Sequence, residues 1–280
     1  VLYNILKYNI YIYINFLYLN QLGGSVPLIS CKNKTKEEIS SGGTKKVYNL
    51  NCDDAVWRNE TNTFDGWFTK KVCRNSVIAL SDFWDTKKKP PRFRNSKKSA
   101  WEKETAIQQG INSPVIYKFG TCDDDPYKNY KIEEKFSGDL YRWLRVNTLL
   151  PKVHKSEELV INIKNQFRKV LHQVKFLHDM NKGHLDIKPE NILIKINNSG
   201  TVIDMTLTDY EFVESLPYIG YKGTRTYIDP STLVIDSYNR QFTKLNDIYS
   251  LGITIYLVFT INKGIPGLII YEVNVNRKSI

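Results

Sequence analysis

The sequence predicts an α+β chain of two lobes, a small strand-rich one followed by a helical one. Three observations carry that reading. Residues 39–136 hold short β-type apolar runs around a single helical stretch. After Gly138 the apolar residues switch to three- and four-residue spacing. The 280 residues, 41% hydrophobic and 25% charged, suit a soluble globular protein of one or two compact units. No internal repeat is visible.

In chain order, residues 1–29 stand apart: Lys7, an apolar run over residues 10–19, then the small-residue stretch Gly23-Gly24-Ser25-Val26-Pro27, the layout of an export signal. Asn4, Asn9, Asn15 and Asn20 interrupt the run, so no stable membrane span is expected. An extended segment follows over residues 39–50, and residues 51–75 read as an insertion. Residues 76–83 form a β-type run, 97–110 a helix, and 115–119 and 130–136 two further strands. In the second lobe Leu159, Ile163, Phe167, Val170, Leu171, Val174 and Leu177 mark one buried helix face. Strands are expected over residues 192–194 and 202–207, and a helix where Asp247 stands.

The net charge of +11 admits an anionic partner, but the lysines are scattered and no nucleic-acid motif accompanies them, so no nucleic acid is expected. Cys31, Cys52, Cys73 and Cys122 form no Cys-x-x-Cys pair and have no histidine at zinc-ligand spacing. Free thiols are the expectation, with disulfides the alternative in an exported chain. Asn33, Asn59 and Asn197 each open a tripeptide that would accept a glycan there.

The residues that carry chemistry begin at His184-Leu185-Asp186-Ile187-Lys188-Pro189-Glu190-Asn191, followed at once by the apolar Ile192-Leu193-Ile194. Phosphoryl transfer needs a carboxylate near the attacking hydroxyl, a cation for the phosphate, and oxygen ligands for magnesium, and this octapeptide contains one of each. It resembles the catalytic loop of protein kinases. That resemblance implies Asp186 as the catalytic base, Lys188 as the cation at the transferred phosphate and the mark of Ser/Thr substrates, and Asn191 as a metal ligand. Leu185 replaces the family's arginine, so the usual pairing with a phosphorylated activation loop is not expected. Leu207-Thr208-Asp209-Tyr210-Glu211-Phe212 stands where the family has Asp-Phe-Gly, which makes Asp209 the second magnesium ligand and Glu211 a departure. Gly223-Thr224-Arg225-Thr226-Tyr227-Ile228-Asp229-Pro230 resembles the end of the activation loop, with Thr226 expected beside the substrate hydroxyl and Ser231 in place of the closing glutamate. Asn246-Asp247-Ile248-Tyr249-Ser250-Leu251-Gly252 resembles the start of the central helix of the second lobe, whose aspartate holds the catalytic loop.

In the first lobe, residues 39–48 resemble the Gly-rich loop that covers ATP phosphates, with Gly42 and Gly43 present. Val77-Ile78-Ala79-Leu80-Ser81 puts a serine where the family has its phosphate-binding lysine. The register Gly42-Gly43-Thr44-Lys45-Lys46-Val47-Tyr48 is similar to that of with-no-lysine kinases, which supply the charge from the Gly-rich loop. Lys45 is therefore expected to replace the missing lysine; a solvated turn lysine is the alternative. The resemblance further implies Glu104 as its helix partner, Val47 and Ala79 at the nucleotide, and Glu134 in an adenine-binding linker over residues 133–140, with Glu133 as gatekeeper.

The sequence is thus identified as that of a Ser/Thr protein kinase using ATP and Mg2+ on protein substrates, of kinase-like two-lobed fold, with a first lobe over residues 39–136, a second over 137–280, and the late helices missing. A pseudokinase acting as an interaction module is the other reading, favoured by Ser81 and Glu211. A cytoplasmic location is expected unless residues 1–29 are a true signal.

Overall fold

The computed structural model describes residues 30–41, 45–52, 73–82, 84–85, 92–93, 95–125, 127–149, 157–234 and 239–260. They fall into two compact units that divide between Lys135 and Phe136. The signal-like stretch, Gly42, Gly43, Asn59 and most of the insertion lie outside the described residues.

The first unit is a five-stranded antiparallel sheet with one long helix. Strands β1 (Thr35–Ser41), β2 (Lys45–Leu50), β3 (Ser76–Asp82), β4 (Ile116–Thr121) and β5 (Lys128–Glu134) lie in the order β1-β2-β3-β5-β4. A single turn α1 (Cys31–Lys34) precedes them, and α2 (Asn95–Ile111) lies between β3 and β4. Asp124 caps α1 by accepting from the backbone N–H groups of Cys31 (3.0 Å) and Lys32 (2.8 Å), donors that a helix start leaves unpaired.

Alternation along the strands sends neighbouring side chains to opposite faces. Tyr48, Leu50, Ile78, Leu80, Tyr117, Tyr130 and Ile132 pack on one face, and all four cysteines join that core. Val47 and Ala79 look the other way and pack with Trp101 of α2. The expectation of free thiols is corrected here. Cys31 is bonded to Cys122 and Cys52 to Cys73, leaving no free cysteine. The pairing of β2 with β3 brings the Cα atoms of Cys52 and Cys73 to 5.8 Å, and the docking of α1 on Asp124 brings those of Cys31 and Cys122 to 5.4 Å, a closeness that sequence separations of 21 and 91 residues do not announce.

The second unit opens with β6 (Gly138–Asp139) and α3 (Leu140–Leu149), whose start Asp139 caps through the Arg142 N–H at 2.7 Å. Helix α4 (Glu157–Asp179) is its long core element. Ile163, Phe167, Val170, Val174 and Leu177 are buried, while Leu171 is exposed because it sits one residue, about 100°, round from Val170. Leu159 lies outside the residues whose side chains are described. Strands β7 (Ile192–Ile196) and β8 (Val202–Leu207) pair antiparallel, with β6 on the far edge of β7. Gln173 of α4 clamps β8, donating to the Thr206 hydroxyl (2.7 Å) and accepting from the Leu207 N–H (2.8 Å). Helix α5 (Lys244–Thr260) begins with a reciprocal cap: Asn246 Oδ1 accepts from the Thr243 N–H, and Thr243 Oγ1 accepts from the Leu245 N–H. No helix among the described residues is long and apolar enough to cross a membrane.

Candidate functional site

In the second unit the loop between α4 and β7 is held from below by one carboxylate. Asp247 of α5 is fully buried and accepts from the backbone N–H groups of His184 and Leu185, both at 2.8 Å, and from His178 Nε2 at 2.9 Å. A buried carboxylate with this many donors is satisfied, and the loop backbone is fixed by it. Thr208 O can only accept, so His184 Nε2, 3.0 Å away, carries the proton. Leu185 itself adopts a left-handed backbone, φ 65°, an uncommon state for a residue with a branched side chain.

That frame presents Asp186 at the centre of a closed network. Its Oδ1 accepts from the Thr224 hydroxyl (2.7 Å), and its Oδ2 from Lys188 Nζ (2.8 Å) and Asn191 Nδ2 (3.0 Å). Lys188 also donates to Thr224 Oγ1 at 2.8 Å, tying cation, hydroxyl and carboxylate into one ring. A base oriented by two further groups is the arrangement needed to receive a proton from a hydroxyl in a fixed direction. Thr226, expected beside the reacting hydroxyl, is exposed instead; Thr224, directly after Gly223, is the threonine that touches Asp186. The glycine before it was the available signal.

Asn191 and Asp209 are drawn together by β7 and β8, whose ends pair Ile192 with Leu207, and by the Thr208 N–H donating to Asn191 O at 3.0 Å. The Asn191 amide turns its nitrogen to Asp186 and hence its oxygen the other way; an amide oxygen and a carboxylate such as that of Asp209 are hard-oxygen donors of the kind magnesium takes. Asp209 is left-handed, φ 65° and ψ 60°, whereas Glu211 lies in the right-handed 3₁₀ turn Tyr210–Phe212. Glutamate therefore costs no backbone strain at the position where the family has glycine. Tyr210 is buried edge-on to His184 and donates its hydroxyl to Leu207 O at 2.8 Å.

Gly223 makes this geometry possible. At φ +91° a Cβ on it would lie 2.2 Å from Leu185 O. Gly223→Ala is expected to push Thr224 off Asp186 and cost about 1–3 kcal/mol in backbone strain; thermal unfolding read beside activity checks this, and an unchanged pair of values would contradict it.

In the first unit Lys45 and Ser81 are direct cross-strand partners in the β2–β3 pair, with Val47 opposite Ala79 two residues on. A lysine on either strand at that rung reaches the same point. Lys45 Nζ lies 2.8 Å from Oε1 of Glu104 on α2. A second ammonium, Lys131 of β5, meets the same oxygen at 3.0 Å. Burial pushes the Glu104 carboxyl up, but the Lys45 and Lys131 charges outweigh it and hold its pKa at about 2 rather than 4.5. This pairing contributes stability that is complete above pH 4.5 and is lost as pH falls toward 2. Lys131 went unread in the sequence, although it shares with Ala79, its β3 partner, the sheet face turned to α2.

Glu133 Oε2 accepts from Gln108 Nε2 at 2.8 Å, so this carboxylate is engaged with α2. The Glu134 N–H is committed to Val115 O at 2.9 Å, so this backbone donor is used inside the sheet.

Comparison with known proteins places this geometry in context. The model of the family described as "Protein kinase domain" matches residues 77–277, more than half of the chain. Serine/threonine-protein kinase D3 of Mus musculus is 24% identical over 242 residues, which cover 85% of this chain and 24% of that protein. Ovarian-specific serine/threonine-protein kinase Lok of Drosophila melanogaster is 29% identical over 157 residues, 55% of this chain and 31% of that one. Serine/threonine-protein kinase D2 of Rattus norvegicus is 24% identical over 215 residues, 75% of this chain and 22% of the relative. The chain spans between a fifth and a third of the length of these curated relatives.

Proposed function

Because the chain belongs to the protein kinase family, we propose that it transfers the γ-phosphate of ATP to serine and threonine hydroxyls of proteins. The observation that carries this reading is Lys45, which stands across the strand pair from Ser81 and bonds Glu104 at 2.8 Å. The serine alone would point to a chain without transfer; the displaced lysine supplies the charge it lacks.

In this reading Asp186 receives the proton of the attacking hydroxyl, and Thr224 and Lys188 keep its carboxylate aimed. Lys188 also offsets charge on the transferred group, and Lys45 does so on the nucleotide phosphates. Asn191 and Asp209 would hold magnesium, which neutralises charge between the β- and γ-phosphates when bound. Val47, Ala79, Gly42 and Gly43 line the nucleotide in this assignment, and Glu134, in the linker, meets its base. The two disulfides favour an oxidising compartment over the cytoplasmic location expected from sequence.

A regulatory module without transfer is the second reading, favoured by Glu211, which places a further carboxylate two residues from Asp209. The two are separated by transfer of labelled phosphate from ATP and magnesium to a generic basic protein. Lys45→Met is expected to lower kcat/KM by about 10²-fold, and adding Ser81→Lys to that variant to recover a large part of the loss, because the new lysine enters at the same rung. A folded chain without transfer would establish the second reading; transfer untouched by Lys45→Met would remove Lys45 from the site.

A further inference from the structure

We propose that Lys131 is a positioning residue that holds Glu104 and, through it, helix α2, so that two lysines divide the duties that one lysine at position 81 would combine. The inference rests on the reading of Lys45 as the cation that serves the nucleotide.

The geometry separates the two ammonium groups. The Lys131 side chain is 1% exposed and that of Lys45 20%. An ammonium has three donors, and those of Lys131 find their partners inside: Glu104 Oε1 at 3.0 Å, Gln108 Oε1 at 3.2 Å and the face of the Trp101 ring, whose centroid is 4.5 Å away. Trp101, Glu104 and Gln108 lie three and four residues apart, so they form one stripe on successive turns of α2. Lys131 thus grips the helix from the sheet at three turns. Gln108 extends the hold by donating to Pro114 O (3.1 Å) and to Glu133 (2.8 Å).

Charge leads to the same division. Glu104 brings one negative charge to two positive ones, and a buried cation without its anion is costly. Lys131 has no route to solvent and needs Glu104 permanently. Lys45 retains access, so the surplus positive charge resides on the lysine that can face a phosphate. When Lys45 turns to a nucleotide, Glu104 keeps a partner, and α2 stays where it was. Helix placement is therefore built into the sheet and does not wait for ligand or modification.

The test begins without nucleotide, on the full chain, by hydrogen exchange over residues 95–111. Lys131→Met is expected to speed exchange there by about tenfold or more, and Lys45→Met to leave it close to wild type. Equal loss of protection in both variants, or loss in Lys45→Met alone, would overturn the proposal. Binding of a fluorescent ATP analogue adds the second readout: Lys45→Met loses about tenfold or more in affinity, while Lys131→Met stays within about threefold and loses kcat instead. The reverse order of affinities would also overturn it. Should Lys131→Met not fold, Lys131→Gln, which keeps an N–H donor without the charge, takes its place; wild-type exchange in that variant would count against the proposal. Because exchange is read without transfer, a chain that proves inactive leaves this result standing or falling by itself.

Discussion

Asp186→Asn is expected to reduce phosphate transfer by about 10²–10⁴-fold while leaving the protein folded. The variant keeps the shape of the side chain. Its amide can turn its oxygen toward Lys188 and Asn191, which donate at 2.8 and 3.0 Å, and its nitrogen toward Thr224, whose hydroxyl can accept as well as donate. The hydrogen-bond ring can therefore close again, and Asp247 still holds the loop backbone through His184 and Leu185. What the variant loses is a group able to take a proton. Initial rates with a basic protein substrate, set beside a thermal melt, check both halves. Transfer within a few-fold of wild type would remove Asp186 from the role of base; a collapsed melting temperature would mean that its charge holds the fold rather than the chemistry.

How far the sequence discloses this site depends on how local each feature is. Asp186, Lys188 and Asn191 are legible because they lie within six residues on one turn whose spacing is set by the chemistry. Lys45 is legible for a different reason: a lysine lost from β3 and one gained on β2 make physical sense together once the hairpin register sets them opposite each other. Lys131 is not, because a lysine in an alternating strand ordinarily marks the solvent face, and only the packing of α2 onto that face shows that it is buried. Thr224 and Thr226 differ by two residues in a segment without regular periodicity, so spacing cannot tell which one turns to Asp186. Elements themselves are readable where periodicity is strong, as in α4, although Leu171 shows that an apolar letter beside the stripe does not belong to it. The cysteine pairing is the least local feature of all. Nothing in the letters brings Cys31 to Cys122, and the strands next to them, β1 and β4, lie at opposite edges of the sheet; the docking of α1 on Asp124 brings them together.

That pairing leads to the other large effect. Opening the Cys31–Cys122 bond, by reduction or as Cys31→Ser with Cys122→Ser, is expected to destabilise the first unit by about 4–5 kcal/mol on the loop-closure estimate for a separation of 91 residues. The Cys52–Cys73 bond, closing 21, contributes about 3 kcal/mol on the same estimate. These are large fractions of the stability of an ordinary domain. The loss should reach the site as well, because the disulfide-bearing core packs on one face of β2, β3 and β5, and their other face carries Lys45, Ala79 and Lys131. Thermal unfolding with and without reductant is the first check, with thiol titration of the unreduced protein expected to find none of the four cysteines free. The compartment then becomes a physical matter: a chain whose sheet depends on these bonds folds fully only where thiols are oxidised. A fully reduced protein with an unchanged melting temperature would show that the sheet stands without them, and the argument for an oxidising compartment would go with it.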